Sequence, residues 1–270
     1  MRHFKLNVIL LSLLIAVILG IIGGAIYAPR CISRLSDREI TSVIKLLGEH
    51  NISIDREIIP RYTGRMRRIS VSNYIADPGE FAALLMGQGA AKAGQTAYTK
   101  DGSRLTLNGN RFSFIPAAAG NAGRETDSGG NAGRRMKRIL EQLGFDLSGT
   151  LIHTIDAEGQ KTEGTVTRKH GVYPIFNDSF QISLSEGGIR SISGIWFYEI
   201  IGEDGYVMPK TAAGALAEFA LKDGSAGAQI REIELGYRIM IDENIYERKA
   251  QAQPVWRIIT SDMQEYFVQA

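Results

Sequence analysis

The chain has 270 residues, 44% of them apolar and 22% charged. That balance excludes a wholly disordered chain and a polytopic membrane protein, and leaves room for a membrane anchor plus one or two domains. One cysteine excludes a disulfide framework and a cysteine-based structural zinc site within a single chain, and four scattered histidines leave little for a metal cluster.

Leu6 to Ala28 is 23 residues without a charge. As a helix this is about 34 Å long, enough to cross a bilayer. The apolar run is longer than that of a cleavable signal peptide, and Pro29 follows it directly. The reading is therefore a tail over 1–5 in the cytoplasm and a single transmembrane helix over 6–28, with the soluble part outside the cell membrane. Arg2 and Lys5 before the span and Arg30, Arg34 and Arg38 after it do not settle the orientation by charge. Ala16, Gly20 and Gly24 recur every four residues, which places small side chains on one helix face where a partner helix can approach closely.

Arg2 and Lys5 are the only charged residues among 1–28, so the rest of the chain balances at 29 basic and 29 acidic residues. Nothing in that balance makes a phosphate-tracking surface for nucleic acid. Ser36-Asp37-Arg38-Glu39 reads as a capping box, followed by Ile40, Val43, Ile44 and Leu47 at helical spacing, with Gly48 as the stop. Ile52 to Ile59 reads as a strand closed by Pro60, with Met66–Val71 as its partner. Asp77-Pro78-Gly79-Glu80 starts a second helix that buries Phe81, Leu84 and Leu85. Short strands follow around Tyr98, at Arg104–Leu107 and at Arg111–Ile115, separated by Asp101-Gly102 and Asn108-Gly109 turns. This first module spans residues 36–116.

Residues 117–133 are rich in Gly, Ala and Asn, and Gly-Asn-Ala-Gly-Arg occurs twice, at 120–124 and 130–134. The stretch reads as a solvated linker, with a recognition loop as the other reading. A second module spans 134–270. Its helix carries Met136, Ile139, Leu140 and Leu143 and stops at Gly144. Strands are expected at 151–156, 164–169, 172–176, 180–185 and 189–198, with Asn177-Asp178 as a hairpin turn. A helix at Thr211–Leu221 and strands at 230–240, 255–259 and 266–268 complete it. The fold class is α+β: a single transmembrane helix followed by two modules of helix plus antiparallel sheet.

A search for chemistry finds no Gly-x-Ser-x-Gly elbow, no phosphate-binding glycine loop and no histidine pair at ligand spacing. His50, His153 and His170 are each more simply structural. No catalytic residue, cofactor or metal is expected, and the protein reads as a non-enzyme. Arg56, Arg61, Arg65, Arg67 and Arg68 are the densest basic run and could contact an anionic surface. Trp196-Phe197-Tyr198, read as a strand, points aromatic rings to both faces, and Trp256 reads as a core anchor.

These pieces form a series. After the anchor and a helix come Asn51-Ile-Ser-Ile-Asp55, Tyr173-Pro-Ile-Phe-Asn-Asp178, Gly194-Ile-Trp-Phe197, Ile233-Glu-Leu-Gly-Tyr237, Gln253-Pro-Val-Trp-Arg-Ile258 and Tyr266-Phe-Val-Gln-Ala270. In that order they resemble the YycI family of Gram-positive bacteria and, more loosely, its relative YycH. The resemblance implies a membrane-anchored accessory protein without catalytic activity. It implies as partners a YycH-like protein and the sensor histidine kinase YycG, also called WalK, which controls cell-wall metabolism. The alternative from the residues alone is a binding module for an anionic wall polymer or a small ligand.

Overall fold

Ser36 caps the first helix, α1 (Asp37–Glu49), through the expected reciprocal bonds. The Glu39 backbone N–H donates to Ser36 Oγ, and the Ser36 N–H donates to the Glu39 carboxylate at 2.7 Å. Ile40, Val43 and Leu47 form its buried stripe, each contributing about 1.5–3 kcal/mol by leaving water. The helix does not stop at Gly48. It runs to Glu49, and Asn51 takes the left-handed conformation at φ 58°. The Asn51 and Ile52 N–H groups then donate to the Gly48 and Leu47 carbonyls, the Schellman closure in which Asn substitutes for Gly. The computed structural model describes residues 33–73, 78–117, 132–157, 161–185, 188–196, 198–241 and 249–270.

Beyond α1, the strand expected over 52–60 is short. Only β2 (Ser53–Ile54) is extended, because the Asp55 carboxylate accepts from the Glu57 N–H and starts a 3-10 turn at Arg56–Ile58. β1 (Ser33–Arg34) pairs with β3 (Tyr62–Thr63). β4 (Met66–Asn73) does not return on the preceding segment. It pairs with β13 (Tyr198–Val207) and β15 (Lys249–Thr260), far along the chain.

Helix α2 (Pro78–Met86) starts at the expected proline and buries Phe81, Ala82 and Leu85, while Leu84 is exposed. After it come β5 (Ala91–Lys92), β6 (Ala97–Lys100), β7 (Ser103–Asn108) and β8 (Arg111–Ile115), joined as successive antiparallel neighbours. Helix α3 (Ala132–Gln142) ends as read, with Gly144 at φ 86°. β9 (Thr150–Ala157) and β10 (Lys161–His170) form a hairpin ladder.

The expected hairpin at Asn177-Asp178 is absent. Residues 173–185 form one strand, β11 (Tyr173–Ser185), because the side chains of both turn-forming residues are engaged elsewhere. Asn177 Nδ2 donates to the Ile239 carbonyl and Asn177 Oδ1 accepts from the Ile239 N–H, both at 2.8 Å. One edge of β11 is taken by β10. The other serves β14 (Gln229–Ile239) at Ile175↔Tyr237, and then β12 (Gly188–Ile195) from Phe180 to Ser185. β14 continues to β15, which also pairs with β16 (Glu265–Gln269). The helix expected over Thr211–Leu221 is α4 (Ala212–Ala220), with Thr211 as its N-cap and Leu221 as its C-cap.

Two large apolar clusters result. One packs α2 and α3 on the β7–β12 region, with Phe112, Phe180, Ile182 and Ile192 at its centre. The other packs α1 and α4 on β14–β16, around Trp256, whose indole donates to the Lys210 carbonyl at 2.9 Å. A smaller cluster of Met66, Ile69, Ile175, Tyr237 and Ala252 joins them. Strand pairing also crosses the expected modules: β8 pairs with β12, and β4 with β13 and β15. The α+β class thus stands, with sheet predominant. The expected span over 6–28 lies outside the described residues, as does most of the linker at 117–133. Among the described residues no helix is long and apolar enough to cross a membrane.

The change of neighbour along β11 depends on two close approaches. A Cβ on Gly194, at φ 155°, would lie 2.3 Å from Phe180 Cα and 2.4 Å from the Ser179 carbonyl oxygen. A Cβ on Gly236 would lie 2.6 Å from the Pro174 carbonyl oxygen. Gly194→Ala is therefore expected to destabilise the protein by about 3 kcal/mol, since backbone must move to admit the methyl. Urea unfolding checks this: an unchanged midpoint would show that β12 is not seated so closely on β11.

Candidate binding face

Six strands bring one polar row together. Thr106, Ser113, Ser193, Gln181, Thr165 and His153 are successive partners across β7, β8, β12, β11, β10 and β9. Their chain neighbours Leu105, Phe112, Ile192, Ile182 and Val166 are buried on the opposite face, beneath α2 and α3. Side chains alternate along a strand, so one face becomes core and the other is left small and hydroxylated. Flanking positions extend it: Ser183 lies opposite Ser191, and Ser179 opposite Thr167.

This face is hollowed in two places. A cleft of about 550 Å³ opens where β11 and β12 meet β14 and β16, with Ser113, Ser193, Arg111 and Arg238 among its walls. A smaller hollow of about 200 Å³ lies between Glu163, Gln181, Ser183 and Ser191. At the cleft edge Phe176 and Phe267 have ring centroids 5.8 Å apart, with the Arg257 guanidinium over the first and that of Arg238 over the second, each at 4.5 Å. Arg257 is held by Glu232, Glu234 and Glu265 at 3.0, 2.8 and 3.4 Å. Neutral hydroxyl and amide groups offer hydrogen bonds in both directions, and their small size lets another molecule approach the sheet closely. The sequence carries a signal for this face in Thr165-x-Thr167, Ser179-x-Gln181-x-Ser183 and Ser191-x-Ser193. Attention to charge and aromatic groups passes over it.

The arginine run does not gather into one patch. Arg56 and Arg61 both reach Asp37 Oδ1, at 2.7 and 3.0 Å. The hydrogen bond from Arg56, then the charge of Arg61, hold the Asp37 carboxyl below the usual carboxylate range. Arg67 pairs with Glu203 and donates to the Tyr206 hydroxyl at 2.7 Å, and Arg65 lies over the Tyr206 ring at 4.3 Å. Arg68, next along β4, points to the other face and stands across the ladder from Asp204. Ala16, Gly20 and Gly24 lie outside the described residues. His170 sits 3.2 Å from Glu203, and His50 caps α1.

Trp196 is not in a strand. It lies in the passage from β12 to β13, buried, with its ring edge-on to Phe180 at 5.0 Å. The Arg168 guanidinium covers it at 4.5 Å, and Arg168 Nε lies 3.3 Å from Asp178 Oδ2. Asp178 is fully buried, and neither of its oxygens has a hydrogen-bond partner among the described residues. Desolvation outweighs the attraction of Arg168 and pushes the Asp178 carboxyl up to about 7.

No family model matches the chain, and no curated protein matches it by sequence. Among solved structures it is similar to YycH from Bacillus subtilis, with a TM-score of 0.50 and 11% identity over 76% of this chain and 53% of that one. It is also similar to an uncharacterized protein from Eubacterium rectale, with a TM-score of 0.49 and 10% identity over 88% and 94% of the two chains. A third likeness is to the YpeB C-terminal domain of Bacillus megaterium, with a TM-score of 0.33 and 12% identity over 71% and 90%. The chain thus has a YycH-like fold and spans about half the length of YycH.

The raised Asp178 pKa has a sign that can be tested. The folded state holds this proton more tightly than the unfolded chain, so stability falls as pH rises from about 4 to about 7 and then levels off. Asp178→Asn removes that dependence. The variant should gain on the wild type across this interval by on the order of 4 kcal/mol. Urea unfolding of both proteins at a series of pH values measures the gap; a pH-independent gap would refute the raised pKa.

Proposed function

We propose that this protein is a membrane-anchored, non-enzymatic regulator of a sensor histidine kinase that controls cell-wall metabolism. The observation that carries the reading is the YycH-like fold. The ordered motifs of the sequence, which resemble the YycI family, support it independently. The protein acts outside the cell membrane, through its membrane helix and through the hydroxyl-rich sheet face. Its partners are a kinase of the YycG (WalK) type and a YycH-like protein. Small residues on both surfaces, Ala16, Gly20 and Gly24 on the helix and Ser113, Ser191 and Ser193 on the sheet, permit the close approach that such contacts need. Regulation consists of a difference in affinity for two signalling states of the kinase.

Binding of an anionic wall polymer by the arginine run has less support. Arg56, Arg61 and Arg67 already meet Asp37 and Glu203 within the fold, and that pairing lowers the field available to an external anion.

The test is co-purification of the kinase with the tagged, full-length protein from cells of its native host. Gly20→Leu with Gly24→Leu should reduce the kinase recovered by about tenfold, as should Ser193→Arg on the sheet face. A thermal melt of each variant separates lost contact from lost folding. Full recovery of the kinase with both sets of variants, or no kinase with the wild type, overturns the proposal.

A further inference from the structure

A cavity of about 350 Å³ lies on the other side of the sheet from the hydroxyl row. It is lined by α2, the turn after α3, the end of β10, Trp196 and the start of β13, and it opens to solvent on one side. Its size falls at the lower end of small-ligand sites. Phe81, Phe145 and Trp196 supply apolar wall, and Arg168 supplies a cation.

Arg168 is fixed before any ligand arrives. Trp196 lies against its guanidinium plane at 4.5 Å, Asp178 lies 3.3 Å from its Nε, and its side chain is only 17% exposed. That positioning removes most of the ordering entropy that a mobile arginine would lose on binding. Asp178 compensates the cation poorly, because full burial favours its neutral form and its oxygens make no hydrogen bond among the described residues. A guanidinium without a hydrogen-bonded carboxylate, half enclosed by aromatic walls, is built to receive an anion. The one acidic wall group, Asp146, is exposed at the rim and accepts from the Ser148 N–H at 2.9 Å, a bond that does more than the charge of Arg168 to hold its carboxyl below the usual range.

We infer that this cavity binds a small organic carboxylate with an apolar body. The carboxylate lies on Arg168, and the body lies against Phe81, Phe145 and Trp196. The position of the cavity gives such a ligand a second effect. Phe81 and Phe145 belong to the cluster under α2 and α3, whereas Ile200, also in its wall, packs against the joining cluster. A bound ligand therefore touches both sides of the passage from β12 to β13 and stabilises their present arrangement. This inference does not depend on the kinase as partner.

The experiment is calorimetric titration of the full-length protein in lipid nanodiscs, with empty nanodiscs subtracted. Hexanoate, phenylacetate and N-acetylphenylalanine are each compared with the corresponding amide. At least one carboxylate should bind about tenfold or more tightly than its amide, the margin of a charge-assisted pair. Preference for hexanoate assigns the site to acyl chains, and preference for the others assigns it to aryl or amino-acid-derived acids. Arg168→Gln should abolish the difference between acid and amide. Because that change disturbs Asp178, a second variant, Leu84→Trp, fills the cavity from an exposed wall position and should block binding without loss of folding. Absence of heat with all three acids, equal binding of acids and amides, or undiminished binding by Leu84→Trp overturns the inference.

Discussion

The architecture depends on β11 being shared. A strand has two edges, and one edge of β11 is occupied by β10. The other edge must therefore serve β14 and β12 in turn. Between those two partners the ladder has a gap, and the Asn177 amide fills it by exchanging two hydrogen bonds with the Ile239 backbone. A side-chain amide reproduces the donor–acceptor pair of a peptide unit, so Ile239, which has β15 on its other side, loses nothing by lacking a backbone partner on its β11 side. The approach of Gly194 and Gly236 to the β11 backbone leaves room for no other residue type without movement. These contacts fix how the two apolar clusters sit relative to each other.

From that constraint the functional surfaces follow. Helices α2 and α3 cover one face of the β7–β12 region, and the opposite face carries the hydroxyl row. The cleft at the end of this face exists because β14 and β16 stand beside it at the handover. The Arg168 cavity lies near the same handover on the helix side, where Asp178, the residue after Asn177, is turned inward. Two adjacent residues of β11 thus do different work. One closes the seam between β11 and β14, and the other sits behind the guanidinium of a pocket.

Much of the local structure was legible in the sequence. The Ser36–Glu39 box, the Pro78 start and the Gly144 stop each act within four residues, where capping chemistry is decisive. Short hairpins in 97–115 were legible for the same reason. Partners distant in sequence were not. Nothing near Met66 announces β13 or β15, and β13 itself, Tyr-Glu-Ile-Ile-Gly-Glu-Asp-Gly-Tyr-Val, has neither alternation nor an apolar run. Asn177-Asp178 has the composition of a turn, and only the approach of Ile239 and Arg168 turns it into strand. The arginine run looked like a patch because spacing in sequence hides the alternation of sides along β4. The hydroxyl face was visible as a period of two, but it becomes a surface only when six strands come into register.

The order of the chain through the two clusters has a mechanical consequence. Residues 33–73 and 198–270 contribute to the α1–α4 side, and the intervening segment builds the side that bears the hydroxyl row. A load entering at Ser33 is therefore taken up first by the α1–α4 side. It reaches the hydroxyl row through the chain connections at 73–78 and 196–198 and through the β11–β14 seam. The Asn177 clasp is a parallel tether of two hydrogen bonds across that seam, fewer than a full ladder would supply. The two sides thus share load through one narrow seam, where the Asn177 clasp works beside the joining cluster around Ile175 and Tyr237.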